Sequence, residues 1–144
     1  MKNIFVYVFL LVAFSSIGGT TLKQQTKTPS LEGEWFLQPA MASDTATGTT
    51  PTLKFSLKES SFSGNTGCNS LKGRFSVQGD SLIFNNQLVT TKMACQGYNE
   101  KAFLDNLMST TNYRFEDGFL FLLNDKTILS KWGRSKQGLV KEKA

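Results

Sequence analysis

The chain contains no histidine among its 144 residues. That removes the side chain most used as a general base, proton shuttle and metal ligand near neutral pH. A Ser-His-Asp triad cannot be assembled from this sequence. Cysteine is nearly absent as well, with two residues, Cys68 and Cys95. Two thiolates without an imidazole cannot complete a tetrahedral zinc site. Their wide separation is also unlike the Cys-x-x-Cys arrangement of a redox couple. Acidic residues are few, 11 against 16 Lys and Arg, and are scattered without a spacing that pairs two carboxylates. No glycine-rich loop ending in lysine is present, so a phosphate-cradling loop is excluded. Gly64, Gly67 and Gly73 read as turn residues instead. Ser70 and Lys72 would share one strand face, but nothing else supports a Ser-Lys nucleophile. These absences argue against an enzyme, and no cofactor is expected.

What is present begins with a leader-like segment. Met1-Lys2-Asn3 carries one positive charge, and Ile4 to Phe14 is apolar. Small residues follow, from Ser15 to Thr20. Charged, apolar and small-residue regions in this order form the signal-peptide pattern. The apolar run of about 11 residues is well short of the roughly 20 that cross a bilayer as a helix. Residues 1–19 are therefore expected to be a signal peptide, cut after Gly18 or Gly19. Residues 20–30 form a polar linker, 31–133 one folded domain, and 134–144 a basic flexible tail. No cysteine lies just after the expected cut, the first being Cys68, so lipid anchoring is not expected. The expected product is a soluble protein in the periplasm or outside the cell, monomeric, touching the membrane only through the precursor segment.

The net charge is +5. Much of the excess lies in Lys131, Arg134, Lys136, Lys141 and Lys143, and reads as a solvated terminus. Nucleic acid is not an expected partner, because no basic patch interleaved with aromatics is visible.

Aromatic content is high, with 12 Phe, 3 Tyr and 2 Trp, and Thr, Ser and Gly are common. This leans toward β structure. Leu31 to Leu37 reads as a first strand, and Ala40 to Pro51 as a mobile loop. Leu53-Lys54-Phe55-Ser56-Leu57 and Leu71 to Val77 alternate apolar and polar, the pattern of half-buried strands. Gln78-Gly79-Asp80 turns the chain into Ser81 to Phe84, and Leu88 to Cys95 reads as extended. Asn99 is a good helix N-cap. Phe103, Leu104, Leu107 and Met108 then share one helical face, with Glu100 where the helix dipole favours an acid. Asp117-Gly118 is a hairpin turn between two further strands, and a last strand runs Thr127 to Trp132. About eight strands and one helix result. They are expected to form an α+β domain: a curved antiparallel sheet, partly barrel-like, packed around the single helix.

An even cysteine count in an exported chain argues for a disulfide. A loop of about 27 residues would give on the order of 3–4 kcal/mol in the chain-entropy model. Two unpaired buried thiols are the competing reading, because extended segments can miss the required geometry.

The cysteine segments carry a resemblance. Gly64-Asn65-Thr66-Gly67-Cys68-Asn69 resembles the G-x-x-G-C-N block of the META domain (HslJ-like) family. Thr91, Met93, Ala94 and Cys95 resemble its T-x-M-A-C block. Trp35 falls in a segment similar to the family's opening strand, and the likeness runs from Leu31 to Trp132. It implies a single α+β domain, often exported in bacteria, associated with stress response and without an established enzymatic activity.

The expected function is thus a non-enzymatic, envelope- or stress-related binding module for an apolar ligand, a lipid or a protein segment. Trp35, Phe55 and Phe75 are candidates for lining the concave side of the sheet, with plain core packing as the alternative. A second reading is a protein-interaction role, such as an inhibitor of a secreted hydrolase. In that reading Gly64 to Asn69 would be a rigid exposed loop.

Overall fold

A computed structural model describes residues 29–41 and 44–137. The expected signal peptide, most of the linker and the last seven residues lie outside the described residues. Nine strands and one helix are found among the described residues, in the order β1 (Gly33–Leu37), β2 (Thr52–Ser56), β3 (Ser61–Asn65), β4 (Ser70–Gln78), β5 (Ser81–Phe84), β6 (Val89–Thr90), α1 (Glu100–Met108), β7 (Asn112–Glu116), β8 (Phe119–Asn124) and β9 (Thr127–Gly133). All strand pairings are antiparallel.

The strands are ordered β3-β2-β1-β9-β8-β7-β5-β4-β6, and a further β3–β4 pairing brings the sheet round on itself. The result is ring-like without being a true barrel. Two seams are thin. β1 meets β9 through Phe36 opposite Gly133 and Leu37 opposite Trp132. β5 meets β7 at Ser81 opposite Asn112. The helix packs against β5 and β9, one strand from each seam.

Alternation in the sequence becomes the inside and outside of the ring. Leu53, Phe55, Phe62, Leu71, Phe75, Leu82 and Phe84 point inward and are buried. Lys54, Ser63, Lys72 and Arg74 point outward and are exposed. Four phenylalanines fill one half of the interior. Phe55 lies 5.3 Å from Phe75 and 6.1 Å from Phe84, centroid to centroid, and Phe62 lies 4.8 Å from Phe84. Gly73 stands opposite Phe62 in the ladder, and its missing side chain leaves the volume that ring occupies. Such edge-to-face and tilted pairs add to the gain from burial alone.

Turn chemistry follows the sequence closely. Asp117 and Gly118 both have positive φ, +51° and +80°, as a two-residue type I′ hairpin requires. The helix runs over the expected residues, and the Asn99 side chain caps it by accepting from the Ala102 amide at 3.2 Å. Within it Leu107 is buried, while Phe103 and Met108 pack on the core at its margin.

Three expectations are corrected. The extended stretch Leu88 to Cys95 contributes only the two-residue strand β6, because Asn69 draws the chain from Thr91 onward into side-chain hydrogen bonds. The loop before β2 is docked instead of free: the Thr45 hydroxyl, the Ala46 amide and the Thr47 hydroxyl all donate to the Gly67 carbonyl at 2.8–3.2 Å. Two charges assigned to a loose terminus belong to the fold. Lys131 lies in β9 with its ammonium 3.8 Å from the Phe119 ring centroid. Arg134 lies 3.6 Å over Trp35 and donates to the carbonyls of Ser30 and Glu34 at 2.6 and 3.2 Å. A guanidinium is weakly hydrated and stacks on aromatic faces, so it stays with the sheet.

Candidate functional site

The two cysteine segments meet at the β3–β4 turn and form one polar cluster. Cys68 and Cys95 are disulfide-bonded, with Cα atoms 6.2 Å apart. This answers the open question in favour of the bridge. Asn69 is 1 % exposed, and its amide is used from both ends. The oxygen accepts from the Thr91 hydroxyl and the Met93 amide, each at 2.8 Å. The nitrogen donates to the Glu100 carboxylate at 2.9 Å, to the Met93 carbonyl at 3.2 Å and to Cys68 Sγ at 3.2 Å. Thr66 lies beside it. Its hydroxyl donates to the other Glu100 oxygen and accepts from the Asn69 backbone N–H at 2.9 Å. The Tyr98 hydroxyl donates to the Thr66 carbonyl.

Each glycine of the first block has its own reason. Gly67 takes φ +96°, and a Cβ there would overlap the Asp44 carbonyl. At Gly64 a Cβ would overlap the Thr52 carbonyl on the neighbouring strand. Residues 66–69 are therefore buried, Gly64 and Asn65 are half-buried, and the block is closely approached by backbone. It is not the exposed loop that the hydrolase-inhibitor reading required. The exposed segment is the one it holds: Thr91, Lys92, Met93 and Ala94 are exposed, Met93 at 57 %.

Trp35, Phe55 and Phe75 sit inside the ring at 2, 0 and 3 % exposure. Phe55 and Phe75 are turned toward each other, while Trp35 stacks on Phe115 at 5.8 Å and carries Arg134 on its ring. Their faces are occupied by neighbouring side chains.

An open cleft lies elsewhere, between α1 and the corner where β1 meets β9, with a volume of about 400 Å³. Phe103, Leu107, Leu129 and Trp132 supply its apolar side, and Gln38, Asp44, Tyr98, Asn99 and Asn106 its polar rim. Gln38 is buried, donates to the Ser135 carbonyl at 2.8 Å, and precedes a cis peptide at Pro39. Gly133 makes room for the Gln38 side chain. Burial pushes the Tyr98 hydroxyl up to about 12, helped by the negative charges of Glu100 and Asp44 and opposed by its hydrogen bond to Thr66. Tyr98 is thus a neutral hydroxyl at physiological pH, already donating to the polar cluster while its ring borders the cleft.

The sequence reading brought Gly64, Gly67, Cys68, Asn69, Thr91, Met93, Ala94 and Cys95 into one motif, and the structure gathers them. It missed Thr66 and Tyr98 as parts of that cluster, and it read Glu100 only as a helix-start acid. Asp44 and Gln38 carried no local signal. Among the described residues, no group of three or more His, Cys, Asp or Glu side chains converges to hold a metal ion. No described helix is long and apolar enough to cross a membrane.

A helix-bearing strand ring, pinned at one turn by a disulfide and a buried asparagine, defines the class of domain. Residues 28–136 match the META domain family, and the chain belongs to that family. Among solved structures, a DUF4847 family protein from Bacteroides vulgatus superposes with a TM-score of 0.56 at 15% identity, covering 74% of this chain and 95% of its own. A protein from Burkholderia xenovorans gives 0.55 at 24% identity, covering 74% and 83%. At these identities the likeness is one of fold. No curated protein matches the chain.

Proposed function

We propose that this META domain is an exported, non-enzymatic binding module. Its ligand is a small, largely apolar molecule with one polar group, taken up in the cleft beside α1. The observation that carries the reading is the contrast between two concave spaces. The ring interior is occupied by its own aromatic side chains, whereas the cleft is open and pairs an apolar wall with a polar rim. That division is common in small-molecule sites, where apolar area supplies affinity and a few polar groups set orientation. An envelope or stress-related role fits a binding module of this kind acting outside the cytoplasm.

The test is native mass spectrometry of protein recovered from its envelope fraction, beside a Phe103→Glu variant. A co-purifying small molecule that the variant lacks supports the proposal. Wild-type protein that carries no bound mass, and whose tryptophan fluorescence does not respond to envelope lipid extract, refutes it. Cell fractionation tests the compartment, and a cytoplasmic protein of precursor mass would contradict export.

One observation favours the protein-interaction alternative. The Met93 backbone is clamped at both its amide and its carbonyl by Asn69, two residues before the bridged Cys95, while its side chain is exposed. A rigid exposed segment lowers the ordering cost of binding. Capture of a secreted hydrolase from an envelope extract, lost in Met93→Asp, would support this reading. Recovery of no hydrolase would refute it.

A further inference from the structure

The outer face of β2, β3 and β4 is built as a trough. Ladder register places Lys54, Ser63 and Lys72 in one row across the three strands. Ser56, Ser61 and Arg74 form the next row, and Thr52, Asn65 and Ser70 the row on the other side. The middle strand thus shows only short polar side chains, Ser61, Ser63 and Asn65, while long cations stand on both flanks. Two adjoining hollows of about 620 and 570 Å³ lie along this face and share Lys54, Ser63, Lys72 and Val89.

Lys54, Lys72 and Arg74 form no ion pair among the described residues, although Glu34 and Glu59 border the two hollows and Glu59 accepts from the Ser61 hydroxyl at 3.3 Å. The ion pairs among the described residues are Lys101–Asp105 and Arg114–Glu116, both on other elements. Glu34 stands opposite Lys54 on β1, on the side away from Ser63, without forming an ion pair. With strands about 4.8 Å apart, the Lys54 and Lys72 Cα atoms are about 10 Å from each other, so both ammonium groups can reach one anion over Ser63. Lys72 and Arg74 are about 7 Å apart along their strand.

We infer that this trough is a binding site for an anionic polysaccharide. One acidic group of the glycan seats between Lys54 and Lys72 and another at Arg74, and its hydroxyls meet Ser61, Ser63 and Asn65. The chemistry selects this occupant over others. Both edges of β3 are already paired, so a peptide cannot add as a strand. The residues that form the trough walls and its exposed floor include no exposed aromatic ring for stacking nucleic-acid bases. A flat lipid surface would meet the tips of the lysines but not the recessed serines. The site is on the opposite side of β1 from the α1 cleft and does not depend on it.

The experiment is calorimetric titration of the purified domain with a heparin-derived hexasaccharide at low salt, using three variants. Lys54→Gln/Lys72→Gln is expected to weaken binding at least tenfold. Ser63→Leu, which keeps every charge but fills the trough floor, is expected to weaken it by a similar factor. Lys101→Gln/Arg114→Gln removes the same charge elsewhere and should bind within twofold of wild type. Circular dichroism melts confirm that each variant is folded. Equal weakening in the two charge variants would reduce the effect to net charge and overturn the proposal. So would undiminished binding by Ser63→Leu, or no binding by wild type. Phosphatidylglycerol vesicles that bind with the same dependence on Lys54, Lys72 and Ser63 would replace the glycan with a membrane surface and likewise overturn it.

Discussion

Replacing Asn69 with alanine removes the side chain on which the polar cluster depends. Five hydrogen bonds are lost, at 2.8, 2.8, 2.9, 3.2 and 3.2 Å. They are not of equal value. The bond to the Glu100 carboxylate is charge-assisted and contributes about 1.5–3 kcal/mol, whereas a neutral bond contributes about 0.5–1.5 kcal/mol. Thr91 and Met93 are exposed residues, so water recovers part of what they lose. The contact with Cys68 sulfur is weak. The sum is therefore about 3 kcal/mol, well below five full bonds. For a domain of this size that corresponds to a fall in melting temperature of about 12–20 °C. Urea denaturation of the oxidised protein, followed by far-ultraviolet circular dichroism, measures it directly. Asn69→Asp separates shape from hydrogen bonding: it keeps the size and the acceptors but sets a carboxylate against Glu100, and should be as harmful as alanine. If Asn69→Ala loses less than about 0.5 kcal/mol, the amide is not what holds the second cysteine segment.

Further predictions rest on separate features. Cys68→Ala/Cys95→Ala should lose about 3.5 kcal/mol, the chain-entropy value for a separation of 27 residues, yet stay folded because Asn69 still holds the segment. A urea melt with and without reductant tests this, and an unfolded double variant would show that the bridge is essential. Gly67→Ala forces a positive φ and a backbone overlap at once and should cost about 2–4 kcal/mol. Gly48→Ala, which has φ +73° with open space around it, should cost only about 1 kcal/mol. Equal losses in the two melts would contradict the close approach at Asp44. Tyr98 titrates later in the folded state, at about 12, than in the unfolded chain, at 10.0. Its contribution to stability is therefore complete below pH 10 and is lost as pH rises through 12. Tyr98→Phe should flatten the decline of melting temperature in that window, and an unchanged slope would refute the assignment.

Most of the fold was legible because its signals are local. Alternation at Leu53 to Ser56 and at Leu71 to Val77 separates inside from outside over a few residues. Asn99 marks the helix start and Asp117-Gly118 marks a hairpin, since each supplies the backbone geometry or the hydrogen bond its own position needs. The cysteine segments were legible as a motif, but not as a structure. Nothing in the spacing of Asn69, Thr91, Met93 and Glu100 states that one amide will bind the other three. Arg134 was misplaced for the same reason: a charge near the end of a chain reads as solvated until Trp35, far away in sequence, supplies a face for it.

By itself the sequence determined the class of domain, the position of most strands, the single helix and, through its lack of histidine, a narrow range of chemistry. These follow from side-chain periodicity and residue inventory, which act over one or two turns of chain. Only the tertiary structure decided that the sheet returns on itself through β3 and β4, that its interior is filled by its own phenylalanines, and that open concave space lies beside α1 and along β3. Closure and filling depend on which distant strands become neighbours and on whether their side-chain volumes match, and no local pattern encodes either.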